Sequence, residues 1–406
     1  MLNKPYKFPK KTIKNVELNG KTILLRVDYN VPLNEDGSIA SDFRIRQSIP
    51  TIKYLLKHNC KIIIISHLGR PEGRFNAEFS LSPIAQYLHS LLPETKVGFS
   101  ADCINDGAAQ TCKKAGKGEI VVLENLRFHE GEETNNVEFA QKLKRVSGAE
   151  YFVQDGFGVV HRAHASTEAI THLLPSVSGL LLEKEVTVLS SAMNDPVHPV
   201  VAVVGGAKIS DKIGFIEKLI NVADTILIGG AMANTFLKYK GEKVGKSLVE
   251  IDQDKEIATI LQKSKPNQIV LPSDVAVSTQ IATDSQRRDC SLKDIGPSDM
   301  ILDLGFETMR IFGQKIKTAS TVIWNGTLGY AELPQFARSS GVLADAITSE
   351  NDVESIVGGG DTADFALDWI EQNPGRNFSH ISTGGGASLE LMSGMKLPGV
   401  EALLKR

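Results

Sequence analysis

The chain has 406 residues, of which 42% are hydrophobic and 23% are charged, and its net charge is −3. This composition is that of a globular protein and excludes a disordered one, and the length favours two domains over one. The nearly balanced charge excludes a protein that binds nucleic acid or an anionic membrane through a broad basic surface. Any site for an anion must therefore be local.

The cysteines show neither a CxxC spacing nor a matched framework, and they lie at Cys60, Cys103, Cys112 and Cys290. We expect them to be reduced thiols, as in a cytoplasmic protein. The first fifteen residues are basic but lack the apolar core of a signal peptide. No apolar run approaches the ~20 residues that a membrane span needs. These features predict a soluble, cytoplasmic protein.

Short runs rich in Ile and Val recur along the chain and are typical of strands that are buried on both faces. They lie at 22–27, 61–66, 119–124, 151–154, 199–204, 224–228, 268–271, 321–324, 355–357 and 380–382. Between most of them lie segments compatible with helices, such as those at 48–59, 136–146 and 211–223. This alternation predicts open α/β sheets, whose ligands bind at the carboxyl ends of the strands.

In the first half, Arg or His follows the predicted strands. The segments read RVDYN (26–30), SHLGRP (66–71), ENLRFH (124–129) and DGFGVVHRAH (155–164). A single arginine of this kind is most often part of a surface ion pair, but a set at neighbouring strand ends predicts a site for a small anion. Guanidinium groups match carboxylate or phosphate oxygens, and the candidates are Arg44, Arg70, Arg127 and Arg162. His67, His161 and His164 can add donors when protonated.

In the second half, glycines follow the predicted strands. The segments read GGAKISDK (205–212), GGAMANTF (229–236), NGTLGYAE (325–332), GGGDTAD (358–364) and TGGGAS (383–388). Glycine lets backbone N–H groups approach a phosphate at the start of the next helix. One such segment could be only a tight turn, but five of them predict a nucleotide-binding half.

Two lysines in the first glycine segment, Lys208 and Lys212, have the spacing of residues that share a helix face. They could both reach one phosphate chain, or they could be two solvated surface lysines. Neither GxGxxG nor GxxxxGK[ST] occurs in the glycine segments. Their absence argues against a nicotinamide-dependent dehydrogenase and against a P-loop enzyme.

A half that binds a nucleotide and a half that binds an anion together predict phosphoryl transfer. Kinases that act on hydroxyl groups usually carry an aspartate base in an HRD-type loop, and the chain has no such motif. An acceptor that is already a carboxylate needs no base, because its pKa near ~4 leaves it ionised at neutral pH. Positioning and charge neutralisation by Lys and Arg would then suffice.

The ordered motifs of the chain resemble those of the phosphoglycerate kinase family over essentially its whole length. They are RVDYNVP, SHLGRP, LENLRFH, GFGVVHRAHAS, GGAKISDKI, GGAMANTF, GGGDTA and STGGGASLEL. The resemblance implies reversible transfer of a phosphoryl group from 1,3-bisphosphoglycerate to ADP, which gives 3-phosphoglycerate and ATP, with Mg²⁺, in glycolysis.

The resemblance also implies the fold, which consists of two doubly wound parallel-sheet (Rossmann-like) domains joined by a helix and hinge. We expect an N-terminal phosphoglycerate-binding domain at 1–178 and a linker helix and hinge at 179–196. A C-terminal nucleotide-binding domain would occupy 197–385, and a segment at 386–406 would return towards the N-terminal domain. Hinge bending would bring the two substrates together.

The matching motif positions imply which residues form the site. The residues that would bind phosphoglycerate are Asp28, Asn30, Arg44, His67, Leu68, Gly69, Arg70, Arg127 and Arg162. The residues that would bind the nucleotide are Gly206, Lys208, Lys212, Gly305, Asn325, Glu332, Gly359, Gly360, Asp361 and Thr362. Arg44 and Lys212 would be catalytic, because they would neutralise the charge of the phosphoryl group in transfer. Asp361 would hold the Mg²⁺ ion.

The chain departs from the family pattern in the nucleotide half. Where the family usually has WNGPxGxFE, this chain reads WNGTLGYAE, with Thr327, Tyr330 and Ala331. Where the family usually has DxGP, this chain reads DLGF, with Phe306. These four residues leave the preference for the nucleotide base open, but they leave the reaction intact.

Two alternatives from other classes are less well supported. A non-enzymatic ligand-binding or regulatory protein could keep the same fold, but it would be expected to lose Lys212, Arg44 or Asp361, and all three are present. A nucleic-acid-binding protein would need a wide basic face, whereas the basic residues here lie at strand ends. We expect a monomer whose partners are its small-molecule substrates, with no nucleic acid and no membrane.

Overall fold

The computed structural model describes residues 6–349 and 352–406. By its internal contacts the chain divides into two compact units. The N-terminal unit comprises Lys7–Thr187 together with Lys396–Arg406, and the C-terminal unit comprises Val188–Met395. The chain therefore crosses from the N-terminal to the C-terminal unit within the helix Leu180–Asn194. It returns to the N-terminal unit just after Met395.

The N-terminal unit is built on a six-stranded sheet in the order β3-β4-β2-β1-β5-β6, in which neighbouring strands pair in parallel. Its strands are β1 (Thr22–Arg26), β2 (Lys61–Ile65), β3 (Val97–Ser100), β4 (Ile120–Leu123), β5 (Tyr151–Gln154) and β6 (Ser176–Ser178). Its helices are α1 (Phe43–Lys57), α2 (Ser82–Leu91), α3 (Asp106–Lys114), α4 (Val137–Ser147), α5 (Leu180–Asn194, which continues into the other unit) and, near the end of the chain, α13 (Pro398–Glu401).

The central strands of this sheet are buried on both faces. Alternate side chains of a strand point to opposite faces, and along β2 Ile62 and Ile64 join one hydrophobic cluster, whereas Ile63 and Ile65 join another. Helices cover both faces of the sheet, and this explains why the KIIII run of β2 does not alternate between apolar and polar residues.

The C-terminal unit contains a second six-stranded parallel sheet, in the order β15-β14-β13-β7-β8-β9, and a three-stranded antiparallel sheet, in the order β11-β10-β12. The strands are β7 (Val200–Val204), β8 (Thr225–Ile228), β9 (Ile269–Val270), β10 (Asp274–Ser278), β11 (Arg288–Ser291), β12 (Met300–Leu304), β13 (Thr321–Asn325), β14 (Glu354–Gly358) and β15 (His380–Ile381). The helices are α6 (Ile213–Val222), α7 (Gly230–Tyr239), α8 (Asp254–Lys263), α9 (Phe306–Ile316), α10 (Arg338–Thr348), α11 (Gly360–Gln372) and α12 (Gly385–Met392).

The fold class predicted from the sequence is confirmed: each unit contains an open parallel sheet with helices between its strands. The cysteines are free thiols, and Cys60, Cys103 and Cys112 are buried. Within the described ranges, a search for a helix of the length and apolarity of a membrane span finds none.

Candidate active site

The carboxyl ends of β1, β2 and β4 meet at one edge of the N-terminal sheet, since these strands are neighbours and parallel. The guanidinium of Arg44, in the first turn of α1, donates to the carbonyl of Asn30 at 2.7 Å and lies 3.3 Å from the carboxylate of Asp28. The backbone N–H of Gly69 donates to the Asn30 side chain at 2.8 Å, and Arg127 donates to the Gly69 carbonyl at 2.8 Å. We call these five residues the arginine edge.

The other residues predicted for this edge differ in how firmly they are held. His67 and Leu68 are buried immediately after β2. Arg70 is exposed, and no hydrogen bond or ion pair with a described residue fixes its guanidinium. Arg162 is also exposed, but the Thr167 hydroxyl donates to its carbonyl at 2.7 Å and so fixes the turn that carries it.

The sequence did not predict the buried ion pair between Arg26 and Glu132, in which Nη2 of Arg26 lies 3.9 Å from Oε1 of Glu132. Arg26 is only 1% exposed; its Nε donates to the Ser166 hydroxyl at 2.8 Å, and its Nη2 lies 3.2 Å from Nδ1 of His67. The Ser166 hydroxyl in turn donates to the buried carboxylate of Glu132 at 2.6 Å. The arginine at the end of the apolar run TILLRV could have indicated a buried partner, because arginine is almost never fully buried without one.

The three histidines predicted to assist at the anion site, His67, His161 and His164, all have lowered pKa values. Burial, with Arg26 and Arg127 as neighbouring charges, holds the pKa of His67 well below its ordinary value. Burial and the same arginines lower the pKa of His164 to about 4, and burial beside Arg162 lowers the pKa of His161. Lowered pKa values favour the neutral imidazole, so the positive charge at the predicted anion site comes from its arginines and not from these histidines.

In the C-terminal unit, three glycine loops meet where β7, β13 and β14 end. A Cβ on Gly205 would overlap the carbonyl oxygen of Thr327, and a Cβ on Gly326 would overlap the backbone of Gly205. Only glycine permits so close an approach of two loops. The Thr362 hydroxyl accepts a hydrogen bond from Gly326 N at 2.7 Å, which ties in the start of α11. We call Gly205, Gly206, Asn325, Gly326 and Gly359 the glycine edge.

Lys212 reaches into the glycine edge. Its Nζ donates to the carbonyl of Gly205 at 2.7 Å and to that of Asn325 at 3.0 Å. Burial lowers its pKa to about 8, although the carboxylates of Asp361 and Asp211 oppose this shift. The ammonium group is therefore mostly charged at neutral pH, and backbone carbonyls hold it in place.

Asn325 carries a buried donor with no partner. Its side chain is 2% exposed, and its Nδ2 makes no hydrogen bond to any described group. A Cβ placed on Gly359, where φ is +97°, would lie 3.2 Å from this nitrogen. An unpaired buried amide costs free energy, so an acceptor from a ligand is the natural partner for this group.

The predicted placement of Lys208 and Lys212 on one helix face is wrong. α6 begins only at Ile213, Lys212 is its N-cap, and Lys208 is exposed in the preceding loop. This loop is held by Glu250, whose carboxylate accepts from Ile209 N at 2.9 Å and from Ser210 N at 3.1 Å. No local pattern predicts this contact, because Glu250 lies 41 residues after Ile209.

A cavity of about 400 Å³ adjoins the glycine edge. Five residues named in the sequence analysis line it, namely Gly206, Thr327, Tyr330, Glu332 and Asp361. Ala331 is not in its lining, and Phe306 is 71% exposed at the start of α9. Of the four residues that depart from the family pattern, Thr327 and Tyr330 are therefore the two that line this cavity.

Most of the remaining predicted nucleotide residues lie outside the lining of the cavity, whereas Asp361 belongs to it. Gly305 is the N-cap of α9 and follows Leu304, which lines the cavity. Gly359 is the N-cap of α11, Gly360 is its first residue, and Thr362 is buried in its first turn. Asp361 is exposed in that same turn.

Two open α/β units, one with an arginine edge and one with a glycine edge and a lysine, define a phosphotransferase. The sequence model of phosphoglycerate kinase matches residues 13–395. The chain therefore belongs to the phosphoglycerate kinase family, which transfers a phosphoryl group between a nucleotide and a carboxyl group.

Individual relatives cover nearly the whole chain. The phosphoglycerate kinase of Acidobacterium capsulatum is 44% identical over 98% of this chain and 100% of its own length, and that of Pelotomaculum thermopropionicum is 42% identical with the same coverage. Among solved structures, the phosphoglycerate kinase of Coxiella burnetii has a TM-score of 0.82 at 34% identity, over 97% of this chain and 98% of that one. The enzyme of Pyrococcus horikoshii has a TM-score of 0.83 at 30% identity, with the same coverage.

Proposed function

We propose that the arginine edge binds 3-phosphoglycerate or 1,3-bisphosphoglycerate and that the glycine edge with its cavity binds ADP or ATP. The observation that carries this assignment is the buried, unpaired Nδ2 of Asn325, close to the ammonium group of Lys212. Two donors of this kind between glycine loops suit the oxygens of a phosphate chain.

The two sets of residues have different roles in this proposal. Phosphoglycerate is bound by the arginine edge together with His67, Leu68, Arg70 and Arg162. The nucleotide is bound by Gly206, Lys208, Gly305, Asn325, Glu332, Gly359, Gly360 and Thr362. The acceptor carboxylate is already ionised and needs no base. Catalysis then consists of positioning, together with neutralisation by Arg44 and Lys212 of the charge on the phosphoryl group.

The nucleotide is proposed to bind together with Mg²⁺, which Asp361 would hold. This carboxylate is exposed in the first turn of α11, lines the cavity and is close enough to Lys212 to influence its pKa. Carboxylate oxygen is a hard ligand of the kind that Mg²⁺ accepts. When bound, Mg²⁺ neutralises part of the charge on the phosphate oxygens.

We also propose that the protein acts in the cytoplasm as a monomer. The free cysteines support a reducing compartment. Each predicted set of binding residues lies within one unit of a single chain, so the proposed sites need no second copy. The competing interpretation, a ligand-binding protein without activity, is not favoured, because Arg44, Lys212 and Asp361 are all present.

The test is the formation of ADP from ATP and 3-phosphoglycerate in a coupled assay, with Lys212→Ala compared with the wild type. We expect kcat to fall roughly 10²–10³-fold and KM to change much less, because the lysine acts mainly in the transition state. Lys238→Ala, an exposed lysine near the end of α7, is the matched control. A kcat within a few-fold of wild type would remove Lys212 from this role, and inactive wild-type protein would contradict the proposed function.

A further inference from the structure

A second cluster of chemically reactive side chains lies in the N-terminal unit, outside the arginine edge. Asp102 and Cys103 follow β3, and His129 follows the short 3₁₀ turn Leu126–Phe128 that comes after β4. One ligand atom from each of these residues lies within 4.8 Å of the other two, and Nε2 of His129 is 3.7 Å from Oδ2 of Asp102. The proposed reaction uses none of the three.

The carboxylate of Asp102 is held in one orientation. Its Oδ1 accepts hydrogen bonds from Ile104 N at 2.7 Å and from Asn105 N at 3.0 Å. These bonds leave Oδ2 as the oxygen that faces His129. A carboxylate oriented by a second layer of donors is the arrangement found around metal ligands.

Two of the three side chains are partly exposed to solvent. The Asp102 and His129 side chains are each 27% exposed, whereas Cys103 is 0% exposed and lies beneath them. The His129 ring packs at a tilt against Phe139, with the ring centroids 5.6 Å apart.

We propose that Asp102, Cys103 and His129 form a binding site for a borderline-soft divalent cation such as Zn²⁺. The ligands would be a carboxylate oxygen, the Cys103 thiolate and Nε2 of His129, with water in the fourth position. Sulfur, imidazole and carboxylate ligands together suit Zn²⁺, whereas Mg²⁺ prefers oxygen ligands alone. On binding, the Cys103 thiol releases its proton to solvent and the sulfur forms a bond to the ion.

The proposal rests on the three ligand atoms and their spacing, and not on the net charge around them. Glu132 places negative charge near Cys103, whereas Lys142 places positive charge near His129. Burial alone does not make such a site. Cys112 is buried in the same hydrophobic cluster as Cys103 but belongs to no such group of ligand atoms among the described residues.

The experiment is a titration of the full-length, chelator-treated protein with zinc chloride against a chromophoric chelator, with cobalt chloride as a spectroscopic probe. We expect the wild type to bind Zn²⁺, and bound Co²⁺ to show a thiolate-to-metal charge-transfer band. Cys103→Ala should abolish this band. It should also weaken Zn²⁺ binding at least as much as the roughly 10–100-fold loss that removal of an outer-shell partner causes.

Cys112→Ala is the matched control, and it should retain both the band and the affinity. Because Cys103 is buried and its loss could disturb folding, His129→Gln provides a second test at a partly exposed position. Equal Zn²⁺ affinity of the wild type, Cys103→Ala and His129→Gln would overturn the proposal, and so would a wild-type Co²⁺ complex without a thiolate band. Kinase activity is not the readout, so the proposal can fail independently of the proposed function.

Discussion

At the scale of single residues, Lys212 depends on a carboxylate that the proposed chemistry does not use. Glu250 accepts two backbone N–H groups and the Ser210 hydroxyl from the loop that leads to Lys212. Its own backbone N–H donates to the Thr235 hydroxyl at 3.1 Å, which anchors it to α7. Glu250 is thus a positioning residue for the basic loop.

We expect Glu250→Ala to lower kcat roughly 10–100-fold with a smaller change in the KM for ATP, because hydrogen bonds to charged groups contribute about 1.5–3 kcal/mol each. Glu250→Gln keeps an acceptor oxygen and should recover part of the loss. Steady-state kinetics of both variants would measure this, with the exposed Glu242→Ala as the control. Wild-type kcat in Glu250→Ala, or equal losses in the Ala and Gln variants, would contradict the positioning role.

The residues that line the two edges were predictable, whereas the residues that support them were not. Strand-end arginines and glycines lie in short segments that reveal their chemistry, since the carboxyl ends of parallel strands form the ligand crevice. The supporting contacts join residues that are far apart in sequence. This holds for Arg26, Glu132 and Ser166, and also for Glu250 and the loop it holds. Local patterns do not encode such pairings.

At the scale of elements, the first turn of α5 is capped by a buried carboxylate. Oδ1 of Asp155, which follows β5, accepts from Leu181 N at 2.9 Å and from Leu182 N at 3.2 Å. Its Oδ2 makes no hydrogen bond to a described group. Burial raises the pKa of Asp155 to about 7, against the opposing effect of the hydrogen bonds from Thr51 and the two backbone groups.

This arrangement predicts a pH-dependent effect of Asp155→Asn on stability. The folded pKa of about 7 lies above the unfolded value of 3.8, so the contribution of Asp155 is fully present below ~pH 3.8 and is lost as the pH rises to about 7. Asparagine does not titrate, and the variant should gain up to about 4 kcal/mol relative to wild type over this range. A pH-independent effect of the substitution on the free energy of unfolding cancels when the difference between variant and wild type is compared at two pH values.

Urea denaturation of both proteins at several pH values between 4 and 8 would measure this difference. Asp106→Asn, at the start of α3, is a control for the loss of a carboxylate in the first turn of a helix. A stability difference between Asp155→Asn and wild type that does not change with pH would show that Asp155 does not titrate in this range.

Every predicted strand is present in the structure, but five of the described strands were not predicted from the sequence. Each of the ten apolar runs overlaps an observed strand. β3 and β6 were missed, and they are the two edge strands of their sheet, where a short or polar sequence suffices. The whole antiparallel sheet was also missed: β11 is largely exposed and has no apolar pattern, whereas β10 and β12 are mostly buried but contain polar residues such as Asp274 and Asp303. The start of α1 at Phe43 lies five residues before the predicted one, because Pro50 is inside the helix and does not mark its beginning.

At the scale of the whole molecule, the two proposed sets of binding residues lie in different units, so we expect that the binding of each ligand can be weakened separately. Arg162→Ala should weaken 3-phosphoglycerate binding roughly tenfold or more and leave ADP binding nearly unchanged, because charge-assisted hydrogen bonds contribute about 1.5–3 kcal/mol each. Isothermal calorimetry with each ligand would measure this. Arg145→Ala, an exposed arginine of α4, is the control. Equal losses for both ligands would contradict the assignment.

If the two ligands bind to different units as proposed, transfer also requires that they come into contact and that water be excluded from the phosphoryl group. We therefore expect the radius of gyration to decrease when both substrates bind. Small-angle scattering of the free protein, of each binary complex and of the ternary complex would test this. An unchanged radius in the ternary complex would contradict closure.

The segment Lys396–Arg406 has a consequence for how the protein is made. It belongs to the N-terminal unit, where Leu404 N donates to the Ser176 carbonyl at 3.0 Å and Lys11 N donates to the Leu404 carbonyl at 2.7 Å. A ribosome synthesises the whole C-terminal unit before it reaches this segment. The N-terminal unit therefore emerges first but completes its hydrogen bonding last, and a nascent chain halted anywhere within Val188–Met395 carries it unfinished.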